Sequence, residues 1–550
     1  MADEVPVMEL HKSTSTSPTK AAAARTKKGA IFWLIFLSIC LSLFLSALDQ
    51  TAVSTALPTI AHDLHTSDFV WVGSAYALSS TAFIPMSGAL AQIFGRRPAL
   101  LTCLILFALG SGVCGGARNM PMLIAGRTIQ GLGGGGIQSL SAIILADMVT
   151  LQERGLYAGL FGLVWCIASI AGPVIGGSLA TAGQWRWLFY LNLPVCGLAM
   201  ACAMYFLRLP TPPGSLREKI IRLDWIGNVL VISGTTMCTI ALTWGGISAP
   251  WDSAQVLCLL VLGIAVLAIF MVWEATWATD PLVPFSLMSN RTSLSGYLQT
   301  FLVSVVALGI VYYMPIYYQA CKDASPTKSG LISLGLSVLA PASIVAGVLV
   351  TRTQRYRPQM WTGWCLLLVG LGLYHTLEAG DNLGHAVGFS AIVGCGLGAQ
   401  YSTAPFPIQA PLPISENAHA LAFLMFVRAF AGVWGVTIGG TVLQNELKHR
   451  LPVEFLAKFP QGSAIAYALI PQVPSLPEPL KGQVQDAFAH SLQVLWVVLL
   501  GITAVGLLSS LLMKGLPLHT SLDEDWVVPG TQFDEEPKSF PGGSVVERDV

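Results

Sequence analysis

The chain contains fourteen long apolar runs, and this pattern limits its possible folds more than any other feature. A helix needs about 20 predominantly apolar residues to cross a hydrocarbon core about 30 Å thick. Only 11% of the residues are charged, whereas soluble domains average about 25%. Because helices satisfy their own backbone hydrogen bonds in lipid, the runs predict an all-α polytopic membrane protein. They lie near residues 31–56, 71–92, 99–117, 121–147, 156–180, 187–207, 224–247, 254–277, 295–318, 328–350, 360–377, 385–404, 418–443 and 490–513.

The distribution of Lys and Arg predicts how the chain is oriented. Basic side chains favour the cytoplasmic loops of membrane proteins. With the N-terminus placed in the cytoplasm, cytoplasmic segments hold nineteen of the 29 Lys and Arg residues and outer segments hold eight. Both termini are therefore expected inside, with an even number of spans. This orientation puts the sequon at Asn290 in the cytoplasm, so we expect no glycosylation there.

Polar stretches divide the runs into two six-helix bundles with two additional spans between them. The connector before these spans contains Ser215–Leu223, which is either a short interfacial helix or a solvated linker. The net charge is zero and gives no argument for nucleic-acid binding. The predicted parts are a disordered N-tail (1–30), a first bundle (31–207), a connector (208–223), two spans (224–277), a second bundle (278–513) with an outer loop (444–489), and a disordered acidic C-tail (514–550).

Charged and amide residues inside the spans are the first candidates for function. A charge at a helix centre costs on the order of 3 kcal/mol on insertion scales, so its presence needs a reason. Asp49 lies in the first span, and Arg127 and Gln130 lie in the fourth. Either these residues form a titratable cluster, or they are buried charges that pair and set the helix register.

Further polar and aromatic residues inside the spans are candidates for a substrate cavity. Gln138 extends the face of Arg127, and Arg428 is a base in the thirteenth span. Tyr313 belongs to a cluster of four tyrosines that suits an interfacial belt or a stacking surface. Trp165 and Trp434 lie deeper within their spans, and helix packing is the default interpretation of both side chains. His62 and His65 have the spacing of metal ligands, but no third ligand is evident. No nucleotide-binding loop occurs, so we expect no metal and no cofactor.

Five stretches, taken in order, resemble the major facilitator superfamily and, within it, the fourteen-span drug:proton antiporters of the fungal efflux-pump type. The resemblance covers nearly all of residues 31–513. The stretches are LDQTAVSTALPTIAHDL (Leu48–Leu64) with WVGSAYAL (Trp71–Leu78), GALAQIFGRRPALL (Gly88–Leu101), RTIQGLGGGG (Arg127–Gly136), GLFGLVWCIASIAGPVIGG (Gly159–Gly177) and WRWLFYLNLP (Trp185–Pro194).

The resemblance assigns roles to two of these stretches. The loop with Gly88, Gly95, Arg96 and Arg97 is similar to the superfamily's cytoplasmic gate, whose contacts hold that side closed. Gln92 stands where the family has an acid, which disfavours an ion-pair latch at that position and leaves a hydrogen-bonded one. In the fifth span, the antiporter motif combines a proline kink with glycines that let helices approach closely. Its residues are Gly172, Pro173, Gly176 and Gly177.

The resemblance implies a secondary active transporter rather than an enzyme. It would export small organic molecules, such as toxins, drugs or secondary metabolites, by alternating access, with protons as its energy source. Asp49 would carry the proton, with Arg127 and Gln130 tuning it. The protein would act as a monomer in the plasma membrane or the vacuolar membrane. A proton-coupled importer of siderophores or basic amino acids, or a membrane sensor that no longer transports, is the alternative.

Overall fold

Long helices make up almost all of the computed structural model, which describes residues 28–64, 70–208, 211–245, 249–452, 470 and 473–518. No β-strand occurs within these ranges, so the all-α prediction is confirmed. Fourteen helices follow the predicted runs in order: α1 Ala30–Asp63, α2 Val70–Phe94, α3 Arg96–Gly115, α4 Met120–Met148, α5 Leu151–Thr181, α6 Asn192–Phe206, α7 Trp225–Trp244, α8 Ala254–Thr276, α9 Arg291–Cys321, α10 Leu339–Thr353, α11 Arg357–His375, α12 Leu383–Thr403, α13 Asn417–Arg450 and α14 Leu480–Ser510.

Thirteen helical stretches among the described residues are long and apolar enough to cross a membrane. Two of them join α6 and α10 to the short helices that precede each, Trp187–Tyr190 and Pro326–Ile332. The remaining helix, α11, lies where the eleventh span is predicted. Its first turn carries Arg357, Pro358 and Gln359, and it is not among the thirteen.

Helices α1–α6 pack on one another, and α9–α14 form a second packed group. The added pair, α7 and α8, pack together and contact the rest through α2 and α13. The two groups meet where α5 packs on α10 and where α2 packs on α13. Many apolar side chains of α8, such as Val261 and Leu262, are exposed, as expected for a surface that faces lipid.

Several helices extend past the predicted runs because their added turns are buried. Helix α13 continues to Arg450, and α14 begins at Leu480, so the predicted outer loop 444–489 is too long at both ends. Leu447 and Phe488 in these added turns belong to the apolar core of the second group. Residues 453–469 and 471–472 of this loop lie outside the described residues.

The polar segments differ in how far the structure describes them. Residues 1–27 and 519–550 lie outside the described residues, and the predicted disorder of both tails falls largely there. Met513 and Leu518 pack against α5, α10 and α11, so the first residues of the predicted C-tail are ordered. In the connector, a short helix at Leu216–Ile221 is exposed and begins with a capping box between Ser215 and Glu218.

Candidate functional site

A buried polar cluster centres on Asp49, in the middle of α1. Arg127 of α4 forms an ion pair with the carboxylate, with Nη1 2.5 Å from Oδ2. The other oxygen, Oδ1, accepts hydrogen bonds at 2.9 Å from the amides of Gln130 on α4 and Asn192 on α6. Asp49 is only 3% exposed and Arg127 only 2%. The structure therefore brings together all three residues that the sequence singles out for proton coupling.

Arg127 is held in place on several sides. Its Nε donates to the carbonyl oxygen of Val72 at 2.9 Å, and its Nη1 also donates to Gln130 Oε1 at 2.6 Å. The guanidinium lies over the ring of Tyr76, 4.5 Å from the centroid. Because a guanidinium has donors in a fixed fork, these partners determine its orientation as well as its charge.

The charges of Asp49 and Arg127 balance each other, and both side chains are buried. Both oxygens of Asp49 have donors, and the adjacent cation compensates its charge. Breaking a buried ion pair by removing one partner costs about 3–5 kcal/mol, since it leaves the other charge uncompensated. A change in the charge of Asp49 would thus be transmitted to Arg127 and to the helices α1 and α4 that carry them.

Two members of this cluster are not among the residues predicted from the sequence. Asn192 binds Asp49, and Ser111 of α3 accepts from Gln130 at 2.9 Å. Asn192 lies within the stretch Trp185–Pro194 and is an amide in an otherwise apolar run. The same argument that selects Gln130 could have found it. Ser111 has no such signal, because serines are common in these spans.

The antiporter motif on α5 places Gly172 directly against α1. A Cβ atom at Gly172 would meet Oγ1 of Thr51 and the backbone of Ala52. The Thr51 hydroxyl also donates across the interface to the carbonyl oxygen of Ala168 at 3.1 Å.

The rest of the motif is less closely packed. Gly176 is buried, whereas a Cβ at Gly177 would meet nothing within 4 Å. The close approach therefore rests on Gly172 and not on Gly177. The side chain of Pro173 lies outside the described residues.

The predicted gate loop joins α2 to α3 through Gly95, whose φ of 97° is in the left-handed region that favours glycine. Arg96 is buried and forms an ion pair with Asp147 of α4, 2.9 Å from Nε to Oδ2. Arg97 donates to the carbonyl oxygen of Met204 at 2.6 Å. Both guanidinium groups thus tie the loop to neighbouring helices of the first group.

Gln92 and Gly88 connect this region to the second group. The amide of Gln92 donates to the carbonyl oxygen of Ser415 at 3.2 Å, and Gly88 lies against Ala422 of α13. The contact at position 92 is therefore a hydrogen bond across the two groups, and the ion pair of this region lies at Arg96–Asp147 instead.

Arg154, near the start of α5, makes a further contact between the two groups of helices. The sequence did not single it out. Its Nη1 donates to Gln409 Oε1 at 2.6 Å, and its Nη2 donates to the carbonyl oxygen of Ala146 at 2.9 Å. Close by, Gly155 of α5 touches Gly347 of α10 backbone to backbone. The two groups are consequently joined at this end, which the sequence predicts to be cytoplasmic.

The residues predicted to line a cavity do not form one group. Gln138 donates to Ser46 at 3.4 Å, on the edge of the Asp49 cluster. Trp165 packs against Ala47, Leu48 and Ala168. Tyr313 is buried and donates to the carbonyl oxygen of Val436 at 2.6 Å, and Trp434 lines an apolar crevice of about 260 Å³ against α7 and α8.

Arg428 is the fifth predicted cavity residue, and its surroundings are unusual. Its guanidinium lies over the ring of Tyr401 on α12, 4.5 Å from the centroid. Its Nε is enclosed and has no hydrogen-bond partner in the part of the chain that the structure describes. Stacking on an aromatic ring contributes about 0.5–2 kcal/mol, which is less than the roughly 3 kcal/mol that a charge costs at a helix centre.

Comparisons with known proteins agree with this architecture. Residues 39–436 match the Major Facilitator Superfamily. The chain is 40% identical to the "Efflux pump FUS6" of Gibberella fujikuroi over 94% of both chains. It is 36% identical to the "MFS-type efflux pump LUC4" of a Fusarium species over 98% of this chain and 97% of the relative.

A third relative is the "Acurin A biosynthesis cluster MFS-type transporter" of Aspergillus aculeatus, with 36% identity over 92% of this chain and 93% of the relative. Among solved structures, the human organic anion transporter MFSD10 (TETRAN) matches with a TM-score of 0.55, covering 86% of this chain and 99% of that one. Because the identity is 16%, this match supports the fold alone.

Proposed function

The chain belongs to the major facilitator superfamily, and we propose that it is a proton-coupled efflux pump that exports small organic molecules by alternating access. Three relatives that match it over at least nine-tenths of its length are two efflux pumps and one transporter of a biosynthesis cluster. The exported compound would accordingly be a secondary metabolite or a related toxin. The protein is a multi-pass membrane protein, and we place it in the plasma membrane because export from the cell requires it there.

The observation that carries proton coupling is the Asp49–Arg127 pair. A carboxylate in the middle of a span can bind a proton, and its neutralisation would leave Arg127 without its counter-ion. The pair would then separate, and α1 and α4 would be free to shift relative to each other. Breaking this one ion pair would couple proton binding to helix movement.

The contacts between the groups support alternating access. The cytoplasmic ends are joined through Arg154–Gln409 and Gln92–Ser415, so this conformation is closed on that side. Opening towards the cytoplasm requires these few polar contacts to break. The net contribution of the neutral Gln92 bond is about 0.5–1.5 kcal/mol, and that of the bond from the charged Arg154 is about 1.5–3 kcal/mol.

The available driving force is sufficient for accumulation. One pH unit across the membrane corresponds to about 1.4 kcal/mol per proton, and 100 mV adds about 2.3 kcal/mol per charge. Together they exceed the roughly 2.7 kcal/mol that a hundredfold concentration ratio requires, since each tenfold step corresponds to about 1.4 kcal/mol.

The test is transport in proteoliposomes, with a compound that the source organism retains when the coding region is deleted. Asp49→Asn should abolish efflux driven by a pH gradient, while Asp63→Asn, a change of another carboxylate on α1, should leave it intact. Arg127→Ala should also abolish efflux without preventing membrane insertion. Unchanged gradient-driven efflux by Asp49→Asn would show that another group carries the proton.

A further inference from the structure

We propose that Arg428 and Tyr401 form the recognition site for a carboxylate on the transported molecule, so that the substrate is an organic anion. This inference rests on the proposed transport function and adds the chemical class of the substrate. Arg428 is the twelfth residue of α13, which places it about 17 Å from the cytoplasmic start of that helix and near the middle of a hydrocarbon core about 30 Å thick.

Arg428 faces the interior of the protein. Helix α13 is surrounded by α9 and α14, by α2 and α4, and by α7. It does not pack directly along α12, yet the side chains of Arg428 and Tyr401 meet across the gap between these two helices. Both residues are only partly buried, so each keeps some accessible surface.

The other interior arginines of the described spans differ from Arg428 in their partners. Arg127 and Arg96 each face an aspartate, and Arg154 donates to an amide oxygen and to backbone carbonyls. Arg428 has no carboxylate and no hydrogen-bond acceptor among the described residues. A positive charge held in a low-dielectric interior without a counter-ion is complementary to an anion.

The geometry of the pair favours a carboxylate among possible anions. A guanidinium presents two parallel N–H groups that match the two oxygens of a carboxylate. The Tyr401 ring covers one face of the guanidinium, and because Nε is enclosed, the two terminal Nη groups are the donors left for the ligand. The stacked ring also holds the plane of the guanidinium, so less freedom is lost when the anion binds.

The test is binding to the purified full-length protein in lipid nanodiscs, without any gradient. The probes are 2-naphthoate and 4-biphenylcarboxylate, each paired with its neutral primary amide, and binding is measured as ligand-dependent thermal stabilisation. At least one acid should stabilise the wild type more than its amide does. Arg428→Gln should raise the Kd of that acid at least tenfold, which corresponds to about 1.4 kcal/mol.

Arg357→Gln is the matched control, because Arg357 also stacks on an aromatic ring, that of Trp361, but lies at the cytoplasmic start of α11. It should bind the acid as the wild type does. If Arg428→Gln does not fold, Arg428→Lys keeps the charge without the fork and should still weaken binding of the acid. Added chloride, compared with an osmotically matched neutral sugar, tests for an inorganic-anion site.

Three results would overturn the assignment. They are no acid that binds better than its amide, equal affinity of the Arg428 and Arg357 variants for the acid, or as much thermal stabilisation by chloride alone as by the acid. Because the assay needs no proton gradient, it separates this inference from the proposed transport function. If the wild type binds the acid but shows no gradient-driven efflux, the result would count against proton coupling and leave the recognition site in place.

Discussion

Asn192 shows how one side chain can support the Asp49 cluster without carrying a charge. Its amide donates to Asp49 Oδ1 at 2.9 Å and lies 3.4 Å from the hydroxyl of Ser111. It therefore links α6 to α1 and α3. A hydrogen bond to a charged group contributes about 1.5–3 kcal/mol, so this amide is a sizeable part of what holds the carboxylate.

We expect Asn192→Ala to destabilise the protein by about 1.5–3 kcal/mol, because Asp49 loses a donor in a buried site. It should also reduce gradient-driven efflux. Thermal unfolding in nanodiscs and transport in proteoliposomes measure the two effects. Gln138→Ala removes an amide with a longer hydrogen bond, 3.4 Å to Ser46, and should cost less. Equal stability of both variants would mean that Asn192 contributes only packing.

At the scale of helices, one close contact in the interface between α1 and α5 is made by a glycine and a threonine. Gly172 leaves room for Thr51, and the Thr51 hydroxyl reaches the carbonyl oxygen of Ala168 on α5. In membranes, where apolar side chains gain little from leaving lipid, such close approaches and interhelical hydrogen bonds are the main source of helix association.

Gly172→Ala should separate α1 from α5, because the added methyl group would occupy the position of the Thr51 hydroxyl. Overpacking of this kind costs about 1–3 kcal/mol. Gly177→Ala is the matched change in the same motif, and the added methyl group would meet nothing within 4 Å. Thermal unfolding of both variants should show a loss for the first and little change for the second. A reversed order would contradict this account of the motif.

Helix ends were the least predictable part of the elements. Helices α13 and α14 run past the ends of their apolar runs, since Leu447 and Phe488 pack into the core of the second group. A hydrophobicity pattern reports the part of a helix that lies in lipid. It does not report the turns that continue into an outer loop and are stabilised by tertiary packing.

At the scale of the whole molecule, residues far apart in the chain join the two groups at the end predicted to be cytoplasmic. Arg154 reaches Gln409, and Gln152 reaches the carbonyl oxygen of Leu518. Residues 511–518 thus connect the end of α14 to the start of α5. These contacts must be released together if the groups separate on this side.

Arg154→Ala should shift the protein towards a conformation open to the cytoplasm, because it removes the cross-group bond to Gln409. Hydrogen–deuterium exchange of the short helix Pro405–Gln409 measures this as faster exchange. The control is Arg222→Ala, which breaks an exposed ion pair with Asp280 worth about 0–1 kcal/mol. Unchanged exchange at Pro405–Gln409 in the Arg154 variant would show that the Arg154–Gln409 bond does not help to hold the two groups together.

The sequence alone determined the membrane-spanning all-α fold, the approximate position of each helix, and the choice of Asp49, Arg127 and Gln130 as a polar cluster. It could do so because lipid requires long apolar helices and makes every interior charge conspicuous.

Only the tertiary structure decided which distant side chains meet. It brought Asn192 to Asp49 and Gln92 to Ser415, and it placed Arg428 on Tyr401 but Trp434 in a separate crevice. Helical spacing predicts which residues share a face. It does not predict which helix that face meets, because small residues such as Gly172 set how closely and at what rotation the helices pack.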